Sequence, residues 1–208
     1  KNKPYFIATG ASSLEDVIKA INLASAINPN LCIMQCNTNY TASLENFKYI
    51  NLNVLKVYAK LFPDLCLGLS DHTPGHATVL GAVALGAKAI EKHFTDSNER
   101  VGPDHAFSMD PKSWKDMVLR TRELELSLGS SIKKIEENEI ETVVLQRRAM
   151  RAMRDIKKGE EINIDDFYPL RPCPVDAINL IEIKSIVGMK VSRDFVKGDY
   201  LKFGDVCS

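Results

Sequence analysis

The sequence predicts an α/β chain: four strand–helix units with parallel strands, then a small β-rich module. Three observations carry this expectation. Short apolar runs alternate with helical stretches through residues 1–130, the pattern of βα units. The runs lack strict polar alternation, as strands do when helices cover the sheet. Beyond residue 147, Gly and β-forming residues increase and an internal repeat sets in.

Tyr5-Phe6-Ile7-Ala8-Thr9 is the first run, ended by Gly10. Ser12 or Ser13 then caps a helix with Glu15 and Asp16 in its first turn. Val17, Ile18, Ile21, Leu23 and Ala24 keep roughly helical spacing. Leu31-Cys32-Ile33-Met34-Gln35-Cys36 is the second run, and the polar stretch 37–43 is its loop. Leu52, Val54, Leu55, Val57, Tyr58 and Leu61 suit a helix stopped near Pro63. The third run, Leu65-Cys66-Leu67-Gly68-Leu69, leads into the loop Ser70-Asp71-His72-Thr73-Pro74-Gly75. Residues 76–87 fit a buried helix, Ala89-Ile90-Glu91-Lys92-His93-Phe94 is the fourth run, and another helix spans 111–128.

Residues 131–147 are charged and read as a linker helix. In the module at 148–208, Met153-Arg154-Asp155-Ile156-Lys157-Lys158-Gly159-Glu160-Glu161-Ile162 matches Ser192-Arg193-Asp194-Phe195-Val196-Lys197-Gly198-Asp199-Tyr200-Leu201. Each copy reads as a strand, a Lys-Gly turn and a returning strand, so two hairpins are expected.

The chain has 208 residues and is 45% hydrophobic, which suits a globular core and excludes a disordered chain. Its 27 basic and 27 acidic side chains cancel, so no surface built for nucleic acid is expected. No apolar stretch long enough to cross a membrane occurs, and no basic-then-apolar signal opens the chain. The five cysteines, Cys32, Cys36, Cys66, Cys173 and Cys207, are odd in number and form no CxxC. They read as reduced thiols of a cytoplasmic protein. The first methionine is Met34, so the sequence reads as a fragment or processed piece.

The polar residues recur just after strand ends: Thr9, then Thr38 and Tyr40, then Ser70 and His72, then His93. A (β/α) barrel gathers all its strand C-termini at one mouth, and this favours a barrel over an open doubly wound sheet. His72 and His93 end consecutive strands, which brings both imidazoles within reach of one divalent ion. The alternative is two hydrogen-bonding loop histidines. Ser70, Thr38 and Thr9 could hold a phosphate, although such residues also cap helices. Lys92 is expected inside the barrel, paired with an acid of another strand because Glu91 points the opposite way. Asp104 could bind a polyol or serve an ordinary turn.

Gly68-Leu69-Ser70-Asp71-His72-Thr73, Ala82-Val83-Ala84-Leu85-Gly86-Ala87, Ile90-Glu91-Lys92-His93-Phe94-Thr95 and Gly102-Pro103-Asp104-His105-Ala106-Phe107-Ser108-Met109 resemble the sialic acid (nonulosonic acid) synthase family in order and spacing. The tail from about Ala149 resembles its antifreeze-like, or SAF, domain. The resemblance implies the second half of a (β/α)8 TIM barrel, beginning at the fifth strand, followed by a β-clip module. Family members condense phosphoenolpyruvate with an N-acylhexosamine such as N-acetylmannosamine, giving a nine-carbon 2-keto acid sugar and phosphate. By the same resemblance His72 and His93 ligate Mn²⁺ or Mg²⁺, and Ser70, Thr38 and Thr9 hold the phosphoenolpyruvate phosphate. Asp104 and Tyr40 meet the sugar, as does Arg171, which reaches over from the partner subunit of a domain-swapped homodimer.

Two departures stand out. The family's Ser-Thr-Gly reads Ala8-Thr9-Gly10, and its Cys-Thr-x-x-Tyr-Pro loop reads Cys36-Asn37-Thr38-Asn39-Tyr40-Thr41. The general base is expected in strands outside this sequence, so this piece alone is expected to be inactive. A carbohydrate-binding or vestigial protein and another phosphoenolpyruvate-dependent 3-deoxy-sugar acid synthase are the competing readings.

Overall fold

The computed structural model describes residues 3–40 and 43–207. Thr41, in the loop motif above, lies outside them. The chain divides into two units, one up to Ser130 and one from Ser131.

In the first unit, β1 (Tyr5–Ala8), β2 (Leu31–Cys36), β3 (Cys66–Asp71) and β4 (Ala89–Lys92) form one parallel sheet in sequential order. Ile7 pairs with Ile33, Ile33 with Leu67, and Leu69 with Ile90. All six positions of β2 are buried, which explains its unbroken apolar run. One sheet face, built by Tyr5, Ile7, Leu31, Ile33, Leu67 and Leu69, packs on the helices. α1 (Leu14–Ile27) contributes Val17 and Ile21, and α2 (Val54–Leu61) contributes Leu55 and Tyr58. α3 (Ala77–Ala84) adds Ala82 to this core and Val79 to a second cluster with Met117 of α4 (Pro111–Leu128).

Ser13, not Ser12, caps α1: its Oγ accepts from Asp16 N at 3.2 Å, while Asp16 Oδ2 accepts from Ser13 N at 3.1 Å. α3 is shorter than the expected 76–87, because the chain turns at Gly86 with φ 98°. Asp110 caps α4, accepting from Ser113 N at 2.7 Å, with Pro111 in the first turn. No helix among the described residues is long and apolar enough to cross a membrane.

Alternation sends Cys32, Met34, Cys36, Gly68, Ser70 and Glu91 to the sheet face opposite the helices. Lys92 falls on the helix-covered face, not in the interior. Its partner does come from another strand, Asp71 of β3.

In the second unit, helix α5 spans only Ile140–Gln146, after a 3₁₀ turn at Glu137–Glu139. Residues 131–136 are not helical. α5 buries no residue, and a helix without a packed face gains little from extension. β5 (Ala149–Ala152) pairs antiparallel with β6 (Phe167–Leu170), and β7 (Lys190–Val191) with β8 (Val206–Cys207). Ile156, Ile162, Ile178, Ile183, Phe195 and Leu201 fill the core.

The two repeat copies do not form two separate hairpins. Ile156 and Phe195 exchange backbone hydrogen bonds at 3.0 and 2.8 Å. Gly159 N donates to Val191 O, and Gly198 N to Ala152 O. Each returning segment thus pairs with the strand that leads into the other copy, Glu161 with Lys190 and Tyr200 with Arg151. Arg154 grips Asp166 through Nε and Nη2 at 2.7 and 2.8 Å, and Arg193 grips Asp205 at 2.8 and 3.2 Å. Gly159 and Gly198 take φ 86° and 97° at equivalent turns, which L side chains rarely adopt. An exchanged arrangement lets each copy satisfy backbone groups that a lone two-stranded hairpin would leave open to water.

Candidate functional site

The ends of β3 and β4 place two imidazoles side by side. His72 and His93 have ring centroids 5.1 Å apart, inclined at 59°. His72 Nδ1 lies 2.9 Å from Asn37 O. A carbonyl only accepts, so Nδ1 carries the hydrogen and Nε2 keeps its lone pair. Burial pushes the His72 pKa below its ordinary value, against the favourable pull of that carbonyl, and His93 adds to the lowering. The lowering favours the neutral ring, the form that ligates metals.

Asp104 Oδ2 lies 3.6 Å from His93 Nδ1. Its loop is braced within itself: Ser108 Oγ donates to Asp104 O at 2.6 Å, and Asn98 Nδ2 to His105 O and Ser108 O. Tyr40 lies over His72 with centroids 4.3 Å apart and meets His93 edge-on at 5.7 Å. Phe107, 3% exposed, closes the group from below at 5.0 Å from His93 and 6.2 Å from His72. The structure thus brings together His72, His93, Tyr40 and Asp104 of the expected residues, and adds Phe107. Phe107 lies in the motif at 102–109, and its sequence context assigns it no role. Its only local signal is an aromatic beside a turn of small residues.

Ser70 Oγ donates to Glu91 Oε1 at 2.8 Å, on the face opposite the helices. The place of Glu91 beside Ser70 depends on the β3–β4 register and has no local sequence signal. Thr38 lies at the end of β2 against Gly10, where an added Cβ would strike its methyl group.

Thr9 stands apart from these residues. It continues the alternation of Tyr5 and Ile7 and faces the helices. Its Oγ1 donates to Met34 O at 2.9 Å and accepts from Tyr58 OH at 3.0 Å. The structure does not bring it to the imidazoles. Arg171 stands in the second unit, its Nε donating to Gln146 O at 2.7 Å.

Among the described residues no cluster of three or more His, Cys, Asp or Glu is set to hold a metal ion. Two imidazoles with a carboxylate nearby still fit a divalent ion that takes its remaining ligands from water or substrate.

A NeuB family model matches residues 1–133, and a SAF domain model matches residues 147–206. The chain is 37% identical over 206 residues to the N,N'-diacetyllegionaminic acid synthase of Legionella pneumophila, covering 97% of this chain and 56% of that protein. It is 32% identical over 196 residues to the N-acetylneuraminate-9-phosphate synthase of Homo sapiens, covering 90% and 53%. The chain thus spans little more than half the length of these relatives. A spore coat polysaccharide biosynthesis protein E from Chromobacterium violaceum, 19% identical, shares the fold at a TM-score of 0.69 over 100% of this chain and 62% of its own. With matches to both models along its length, the chain belongs to the NeuB family, whose SAF domain follows the α/β unit.

Proposed function

We propose that the protein containing this chain is a nonulosonic acid synthase, joining phosphoenolpyruvate to an N-acylhexosamine and releasing phosphate. C3 of the enol phosphate forms the new bond to the sugar's aldehyde carbon. Water adds at C2, and the phosphate leaves. The observation that carries the reading is the meeting of His72 and His93 at adjacent strand ends, with Asp104 beside them. Membership of the family supports it.

In this reading the two imidazoles hold Mn²⁺ or Mg²⁺, which when bound supplies Lewis-acid polarisation of the aldehyde. Asp104 and Tyr40, at the open side of the pair, orient sugar hydroxyls. Ser70 and Thr38 take the phosphate, and Thr9 supports β1 instead. Ser70 has one hydroxyl hydrogen, now donated to Glu91. A phosphate oxygen at Ser70 would accept that hydrogen bond in place of Glu91.

The sequential parallel sheet supports placing the first unit as half of a (β/α)8 barrel, with residues 131–147 as linker and 148–208 as SAF domain. Arg171 then closes over the sugar in a domain-swapped homodimer, in the cytoplasm.

The test is phosphate release by the complete protein with phosphoenolpyruvate, N-acylhexosamines and Mn²⁺. Release that needs both substrates and stops with a chelator supports the reading. Release from phosphoenolpyruvate with an aldose phosphate but with no hexosamine points to a 3-deoxy-sugar acid synthase. No release with any sugar, yet retained sugar binding, leaves a carbohydrate-binding protein.

A further inference from the structure

Directly behind the imidazole pair lies a buried ion pair that the proposed chemistry does not use. Asp71 and Lys92 are register partners at the last rung between β3 and β4. Each immediately precedes one of the histidines. Their side chains are 0% and 1% exposed, on the helix-covered face, with Lys92 Nζ 2.5 Å from Asp71 Oδ2. Lys92 Nζ also donates to Thr73 O at 2.6 Å. Asp71 Oδ1 accepts from Thr73 N at 3.1 Å, and Oδ2 accepts from Thr78 Oγ1 at 2.6 Å.

A buried ion pair is a weak source of net stability, since desolvation offsets much of the attraction. It is a strong source of register, because only one alignment pairs both charges and fills the hydrogen bonds around them. Register matters here. β4 is four residues long and holds few ladder bonds of its own. A shift of one residue would turn His93 to the helix-covered face and separate it from His72.

We propose that Asp71 and Lys92 are positioning residues that fix the spacing of the His72–His93 pair and thereby its affinity for a divalent cation. The pair clamps the strands from one face, and the imidazoles emerge from the other. Thr73 extends the clamp into the turn after His72, and Thr78 ties it to the first turn of α3. The inference rests on the reading of His72 and His93 as metal ligands.

The experiment measures Mn²⁺ affinity of the complete protein by titration and by the Mn²⁺ electron paramagnetic resonance signal. The double variant Asp71→Asn, Lys92→Met removes both charges without leaving one buried alone. Thr78→Val weakens the clamp while keeping the charges, and serves where the double variant does not fold. His72→Ala is the control. The clamp predicts folded variants whose Mn²⁺ affinity falls about 10–100-fold for the double variant, the range seen when residues that orient ligands are lost, with a smaller fall for Thr78→Val. Unchanged Mn²⁺ affinity in folded variants, with a large loss in His72→Ala, overturns the positioning role and leaves the metal reading standing. Unchanged affinity in His72→Ala as well overturns the metal reading, and the positioning role with it.

Discussion

The imidazoles of His72 and His93 stand 5.1 Å apart, and the Nδ1 hydrogen of His72 is committed to Asn37 O. One commitment fixes the ring's tautomer, and the strand pairing fixes the distance. Together they leave two adjacent nitrogen donors at the sheet's end.

Replacing either histidine with Ala is expected to abolish Mn²⁺ binding and metal-dependent turnover in the complete protein. The loss should exceed the roughly 10–100-fold that removal of an outer supporting partner costs. Titration with Mn²⁺ and phosphate-release kinetics check this. A variant that keeps full activity and bound metal would overturn the ligand assignment.

Arg171→Ala is expected to raise the KM for the N-acylhexosamine about tenfold or more and that for phosphoenolpyruvate little. A hydrogen bond to a charged group contributes roughly 1.5–3 kcal/mol. Steady-state kinetics in both substrates read the difference. Mixing an Arg171→Ala subunit with a His72→Ala subunit should restore part of the activity if the site is shared between copies; equal effects on both substrates would argue against a sugar contact.

Phe195→Ala is expected to destabilise the second unit by about 3–5 kcal/mol, the usual cost of truncating a buried aromatic. Phe195 is 1% exposed, lies edge-to-face with Phe167 at 6.3 Å and carries the Arg193 guanidinium 4.0 Å above its ring. Val196→Ala, at an exposed neighbour, should change stability by less than about 0.5 kcal/mol. Denaturant unfolding, with hydrogen exchange followed in the second unit, measures both.

Thiol labelling should separate the cysteines. Burial pushes the Cys32 thiol up to about 12, and the neighbouring Cys66 adds to the rise. Burial also raises the Cys36 thiol. At pH 8 only about one Cys32 in ten thousand is a thiolate, so alkylation of the folded protein should miss it. The exposed Cys66 and Cys207 should react first. Mass spectrometry before and after denaturation gives the order, and rapid labelling of Cys32 in the native state would contradict its burial.

Much of the first unit was legible locally. The runs at 5–9, 31–36, 65–69 and 89–94 overlap the four strands, and the helix at 111–128 has the predicted bounds. Asp110 followed by Pro111 is a local start signal that needs no distant partner. The helix at Ile140–Gln146 is shorter than the charged stretch 131–147, because charge pattern alone does not show how much of a helix finds a face to bury. The repeat was visible as sequence, but its exchange was not. Hydrogen bonds such as Ile156 to Phe195 join segments that either hairpin or exchanged pairing would use equally well.

By itself the sequence determined the order of elements, the family resemblance, and the placing of His72, His93, Tyr40 and Asp104 near strand ends. Those follow from apolar period, turn residues and motif spacing, all short-range properties. The tertiary structure alone decided which way each strand-end side chain faces. It turned Thr9 toward Tyr58, gave Lys92 to Asp71, set Glu91 against Ser70 and packed Phe107 under the imidazoles. The physical reason is that a strand has two equivalent faces. Only the register with its neighbours and the side on which the helices bury their apolar surface make one face inner and the other outer.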